Sequence, residues 1–139
     1  METAPALDGD ALRSARERAG LSQNDLARVL GLASGGRISL WERGEARPRS
    51  PHLLHALAVA LNVPATQLLA PPQSGPSLRW LRFAAGLSVE GLALATHTSP
   101  SSVKRWEAEG LVRPTERVVG ALVEALDVTE DDIRLALRS

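Results

Sequence analysis

The chain has 139 residues, no cysteine and a formal net charge of zero. Without cysteine there is no disulfide framework and no thiolate to ligate metal or attack a substrate, a usage that fits a reducing compartment. Zero net charge argues against a protein that grips any polyanion through charge alone. No apolar run approaches the ~20 residues needed to span a bilayer. Met1 to Asp10 is acidic and lacks the basic and apolar regions of a signal peptide, so the expected location is cytoplasmic.

Helix signals dominate from the start of the chain. Ala11, Leu12, Ala15 and Ala19 recur at helical spacing behind a cap at Asp8, and Gly20 stops that helix. Ser22 caps a second helix, with Asp25 three residues on as an imperfect capping box and Leu26, Val29 and Leu30 turned inward. Gly31 ends it. Ser34 is the expected cap of a third helix, which carries Ile38 and Trp41 and ends near Gly44. Ser50-Pro51 places a cap and a first-turn proline ahead of a fourth helix that buries Leu54, Leu57, Ala58 and Leu61. A short fifth helix runs from about Pro64 to Leu69. Pro71-Pro72-Gln73-Ser74-Gly75-Pro76 suits no helix and reads as a semi-stiff linker. Five more helices begin near Ser77, Ser88, Ser99, Thr115 and Thr129, the last running on through Ile133 and Leu137.

The second five repeat the first five. Ala19-Gly20-Leu21-Ser22 returns as Ala85-Gly86-Leu87-Ser88, and Leu26-Ala27 as Leu92-Ala93. Trp41-Glu42 returns as Trp106-Glu107, and Leu61-Asn62-Val63 as Leu126-Asp127-Val128. The offset is 66 residues early in the copy and 65 later, as Ser22 to Ser88 and Trp41 to Trp106 show. A period this long is a whole small domain rather than one turn of a solenoid. The chain therefore divides into a domain over 1–70, a linker over 71–76 and a domain over 77–139, both all-α.

Helix, tight turn and second helix with small residues between them is the helix-turn-helix pattern. The first copy carries it as LRSARERAGLSQNDLARVLG, ISLWERGEARP and LLHALAVALNVPATQLL. The second carries LRWLRFAAGLSVEGLALAT, SSVKRWEAEGLVRP and VVGALVEALDVTEDDI. With these pieces the chain resembles the Cro/repressor-type (XRE) helix-turn-helix family. The resemblance implies two tandem five-helix, lambda-repressor-like domains. Leu26-Ala27 supplies a close helix contact where a larger side chain would push the helices apart. By resemblance, Arg16 and Glu42 pair helix one with the end of helix three, and Arg82 and Glu107 repeat the pair. Such a pair fixes helix position more than it adds stability.

The family's third helix enters the major groove of double-stranded DNA, its first turn against base edges. In the first copy the matching positions are Gly35, Gly36 and Arg37, followed by Ser39 and Leu40. Glycines offer no side chain to read a base, and one extra residue sits between Gly31 and Ile38. Two explanations stand: Gly35 and Gly36 allow close backbone approach to phosphate while Arg37 reads guanine, or this helix no longer reads sequence. In the second copy the positions are Pro100, Ser101 and Ser102, then Lys104 and Arg105, and Arg105 has the donors to reach guanine O6 and N7. For phosphate, the resemblance implies Gln23 at the head of helix two, with Ser22 beside it. Arg43, Arg47 and Arg49 flank the third helix in a loop expected to face the duplex. Ser88, Arg113 and Arg117 are the second copy's candidates, but Val89 replaces the glutamine and Glu109 enters the loop. The first domain is thus the better expected backbone binder.

His52 and His55 lie three residues apart with no third ligand, so no metal site is expected. No residue set supports catalysis, and no cofactor is expected. Trp41 and Trp106 are expected to pack in the cores. The resulting expectation is a sequence-specific DNA-binding regulator with two fused heads, by resemblance a repressor, working as a monomer or a homodimer. From Leu69 to Leu78 the linker reaches at most roughly 30 Å. Adding the domains' own width brings half-sites about 34 Å apart within range. The rival expectation is a protein-interaction module (an antitoxin, co-regulator or phage-type adaptor) that keeps the fold but binds a protein; a mixed case puts the first domain on DNA and the second on a protein partner. Ile133 and Leu137 either finish the second core or serve as dimer contacts.

Overall fold

A computed structural model describes residues 5–72, 75–111 and 113–138. The described residues form ten helices in two compact units, 1–70 and 71–139. The linker residues Gln73 and Ser74 and the first four residues of the acidic N-terminus lie outside the described residues.

The first unit contains α1 (Gly9–Arg18), α2 (Gln23–Val29), α3 (Gly36–Glu42), α4 (Pro51–Leu61) and α5 (Ala65–Leu68). Local side-chain caps start three of them. Asp8 accepts from Ala11 N, Ser50 accepts from Leu53 N, and Ser22 and Asp25 form a complete capping box. Each such cap satisfies backbone donors that the first helical turn leaves unpaired. Gly20, Gly31 and Gly44 have φ near +75°, where a glycine reverses the chain without strain. The core gathers Leu12, Leu26, Ile38, Trp41, Leu54, Leu57 and Leu68, all buried. Ala27 is also buried, and α2 packs directly on α3. The ends of the unit are tied together: Asp8 N donates to Leu68 O and Ala70 N to Ala6 O.

Two sequence expectations need correction here. The third helix is not capped by Ser34: it begins at Gly36 with Gly35 as its cap residue, and Gly35 makes no side-chain cap. Ser34 Oγ only accepts from Gly36 N at 3.3 Å. Val29 does not turn inward; it is 63% exposed. The chain reverses at Gly31, and Leu32 N donates back to Ala27 O. The inward stripe is therefore Leu26, Ala27 and the half-buried Leu30, with Val29 beyond it.

The second unit contains α6 (Leu78–Ala84), α7 (Val89–Thr96), α8 (Pro100–Glu109), α9 (Glu116–Leu126) and α10 (Glu130–Ala136). Ser77, Ser88, Ser99, Thr115 and Thr129 each cap the helix that follows, at the positions the sequence indicates. Leu78, Leu81, Leu92, Val103, Trp106, Val119, Leu122 and Ile133 form one apolar core. Ile133 and Leu137 are 0% and 2% exposed within it, which settles their role as core residues rather than dimer contacts. Leu111 N donates to Leu137 O and ties the segment after α8 to the end of α10.

Candidate nucleic-acid interface

In the first unit α1 brings arginines to the C-terminal end of α3. Arg16 donates to Glu42 through Nε (2.6 Å) and Nη2 (3.2 Å), and its Nη1 donates to Leu21 O at 2.9 Å. Arg13 Nε adds a longer bond to Glu42 Oε1 at 3.4 Å, and Gln23 Nε2 another at 3.2 Å. The Glu42 side chain is 1% exposed. Burial pushes its carboxyl up, but the bonds from Arg16 and Gln23, the Arg16 charge and the Arg13 bond outweigh this and hold it below the ordinary carboxylate range. The second unit repeats the pair: Arg82 donates to Glu107 through Nε (2.5 Å) and Nη2 (3.1 Å), and through Nη1 to Leu87 O.

This network sets the charge of the α3 face. Glu42 is withdrawn into the fold, so the stretch from Arg37 to Arg49 presents four exposed arginines against one exposed carboxylate, Glu45. Arg43 pairs with Glu45 at 3.2 Å, both side chains remaining half exposed. Arg37, Leu40, Arg47 and Arg49 line one open concavity together with Ala46 and Leu53. Leu40 is 37% exposed there, a large apolar side chain on the outer face of the helix. Ser39 is half-buried, and its carbonyl accepts from the Arg43 backbone. Gly36 is exposed at the first helical position.

The two glycines in the turn are not alike. Gly35 is buried. Its N–H donates to Asn24 Oδ1 at 2.9 Å, and a methyl added to it would lie 2.8 Å from that oxygen and 2.9 Å from Asn24 N. Gly35 is therefore a packing position rather than a base-edge one: close packing on the head of α2 requires it to be glycine. Gln23 is half-buried, with one amide hydrogen committed to Glu42, and Ser22 is exposed with its oxygen in the capping box. Arg13 and Asn24 are site-shaping residues that sequence reasoning missed. Arg13 stands one helical turn before Arg16 on the same face, which was a usable signal; nothing local marks Asn24.

In the second unit Ser101, Lys104 and Arg105 are exposed along α8, and Arg113 is exposed after it. Ser102 is occupied by the cap: its N–H donates to Ser99 Oγ at 3.1 Å, and the two hydroxyls lie 3.0 Å apart. Ser88 is half-buried and accepts from Gly91 N. Arg117 is exposed and reaches Thr96 O at 3.4 Å. Trp41 and Trp106 are 1% and 5% exposed, core residues as expected. His52 and His55 are both exposed, and the described residues contain no cluster of three metal-ligating side chains. Among the described residues no helix is long and apolar enough to cross a membrane.

The comparisons agree with this geometry. A family model described as a helix-turn-helix domain matches residues 9–70 and again residues 75–136. No curated protein and no solved structure matches the chain. Each matched segment holds five helices with an Arg–Glu pair joining its first helix to its third, so the chain belongs to the helix-turn-helix domain family and carries that DNA-binding domain twice in tandem.

Proposed function

We propose that this protein is a sequence-specific DNA-binding regulator of the Cro/repressor type, acting by binding rather than catalysis, with two fused heads. The observation that carries this reading is the α3 face of the first domain. Glu42 is removed from that face by four donors, and Arg37, Leu40, Arg47 and Arg49 remain around one open concavity. Arginines at such a face supply phosphate neutralisation, and Arg37 supplies a bidentate donor for guanine. Leu40 offers apolar contact to a thymine methyl, where the second head places Arg105. The two heads therefore read unlike half-sites, and the tether raises avidity without new contacts. Blocking access to the bound site makes repression the default output.

A protein-docking role for the second domain is a separate reading, favoured by Leu94, which is 79% exposed on α7, and by Val89 at the position of Gln23. Substitution tests the DNA reading. In the full chain Arg47→Ala with Arg49→Ala weakens binding to all duplexes. It also makes the plot of log affinity against log salt shallower, by roughly 0.9 for each phosphate that is no longer neutralised. Arg37→Ala instead relaxes preference at one base position. Binding that stays the same after all three substitutions refutes this face.

A further inference from the structure

The two heads start their third helix in different ways, and the difference assigns a task to a residue outside the reading face. In the second head Ser99 caps α8 from within its own turn, and Pro100 at the first helical position has no N–H to satisfy. In the first head the turn is one residue longer: six residues separate the left-handed Gly31 from Ile38, against five between the left-handed His97 and Val103. Gly35 stands where the second head has Pro100; the residue is buried, and its N–H needs an acceptor. The acceptor comes from Asn24 Oδ1, eleven positions back at the head of α2. Asn24 is itself exposed, and Glu90 occupies the matching position of the second head. The missing Cβ of Gly35 lets the α3 turn sit against Asn24 N and Gln23 C. One side-chain bond and one close backbone approach therefore hold the start of α3 against α2, beside Gly36 and Arg37.

We propose that Asn24 is a positioning residue for sequence discrimination by the first head. It latches the lengthened turn, fixing where Arg37 and Leu40 stand relative to the backbone-gripping arginines. It need not touch DNA. This rests on the regulator reading above, because discrimination requires a sequence that is read.

The test uses the full chain with Asn24→Ala and Asn24→Asp, the second keeping a carboxyl oxygen as acceptor. Two readouts are needed. Segment-resolved hydrogen exchange follows the Gly35–Ser39 amides without DNA. Titrations at several salt concentrations compare a duplex enriched from random sequence with a scrambled duplex. Asn24→Ala is expected to speed exchange at Gly35 and Gly36 by about tenfold, as a buried donor loses its partner. It is expected to cut the enriched-to-scrambled affinity ratio by about tenfold, the scale of one misplaced base contact, while the salt slope stays the same. Asn24→Asp restores the ratio and the slow exchange, although its charge weakens binding to both duplexes equally. Unchanged exchange in Asn24→Ala overturns the latch. Faster exchange with an unchanged ratio overturns its role in discrimination. If the wild-type protein prefers no duplex, the regulator reading itself fails and takes this inference with it, whatever the exchange shows.

Discussion

The Arg16 side chain is only 13% exposed, and replacing Glu42 by alanine strips its guanidinium of the carboxylate that accepted two of its bonds. Its Nη1 bond to Leu21 O survives, and Arg13, half exposed, returns to water at little cost. Removing one partner of a buried ion pair costs about 3–5 kcal/mol, most of it from the charge left behind. The partial exposure of Arg16 puts Glu42→Ala near the lower end, at about 3 kcal/mol. Glu107→Ala is the harsher change, because the Arg82 side chain is only 4% exposed and water cannot reach it as readily. It is expected to cost about 4 kcal/mol. Segment-resolved hydrogen exchange in increasing urea assays both in the full chain, reading α1–α5 for the first variant and α6–α10 for the second. A loss below about 1 kcal/mol in either would mean an ordinary surface pair and refute the buried-network reasoning. A larger loss for Glu42→Ala than for Glu107→Ala would refute the ranking by exposure.

Other substitutions follow from the same packing. Gly9→Ala puts a methyl 2.2 Å from Glu42 O, a backbone atom that cannot swing aside. It should destabilise the first domain by about 3 kcal/mol, and an unchanged urea midpoint would contradict the close approach of α1 to α3. Gly120 is exposed within α9, with nothing within 4 Å of an added methyl. Gly120→Ala should raise second-domain stability by about 0.5–1 kcal/mol in the same assay, and a loss would contradict the helical, open setting. Glu42 is held below the ordinary carboxylate range, so the stability it contributes is present above about pH 4.3 and lost as pH falls through its lower folded value. Asp25, lowered by its bonds to Ser22, acts in the same direction. Urea midpoints of the first domain should be flat from pH 7 to about 5 and fall below about 4. Glu42→Gln should make that fall shallower, and an equally steep fall would exclude Glu42 as its source.

Most helix starts were legible because their caps are local. Asp8, Ser22, Ser50, Ser77, Ser88, Ser99, Thr115 and Thr129 each bond a backbone N–H three residues on, which a short window of sequence displays. The start of α3 was misread for the opposite reason: the acceptor for Gly35 lies eleven residues away, and no local pattern announces it. The duplication made the Arg–Glu pairs readable, since both partners recur at matching positions. The bonds of Arg13 and Gln23 to Glu42 were not read, because they depend on how closely α1, α2 and the end of α3 converge. The place of Gly35 among the base-edge positions of the motif is visible in sequence, whereas its burial depends on packing.

The most direct test of the fused-head regulator is selection of duplexes from random sequence by the full-length protein, read by deep sequencing at two salt concentrations. The predicted result is one enriched motif with two unlike half-sites, its yield falling as salt rises. A folded protein that enriches no motif at either salt would contradict the claim and make the interaction-module reading the better one.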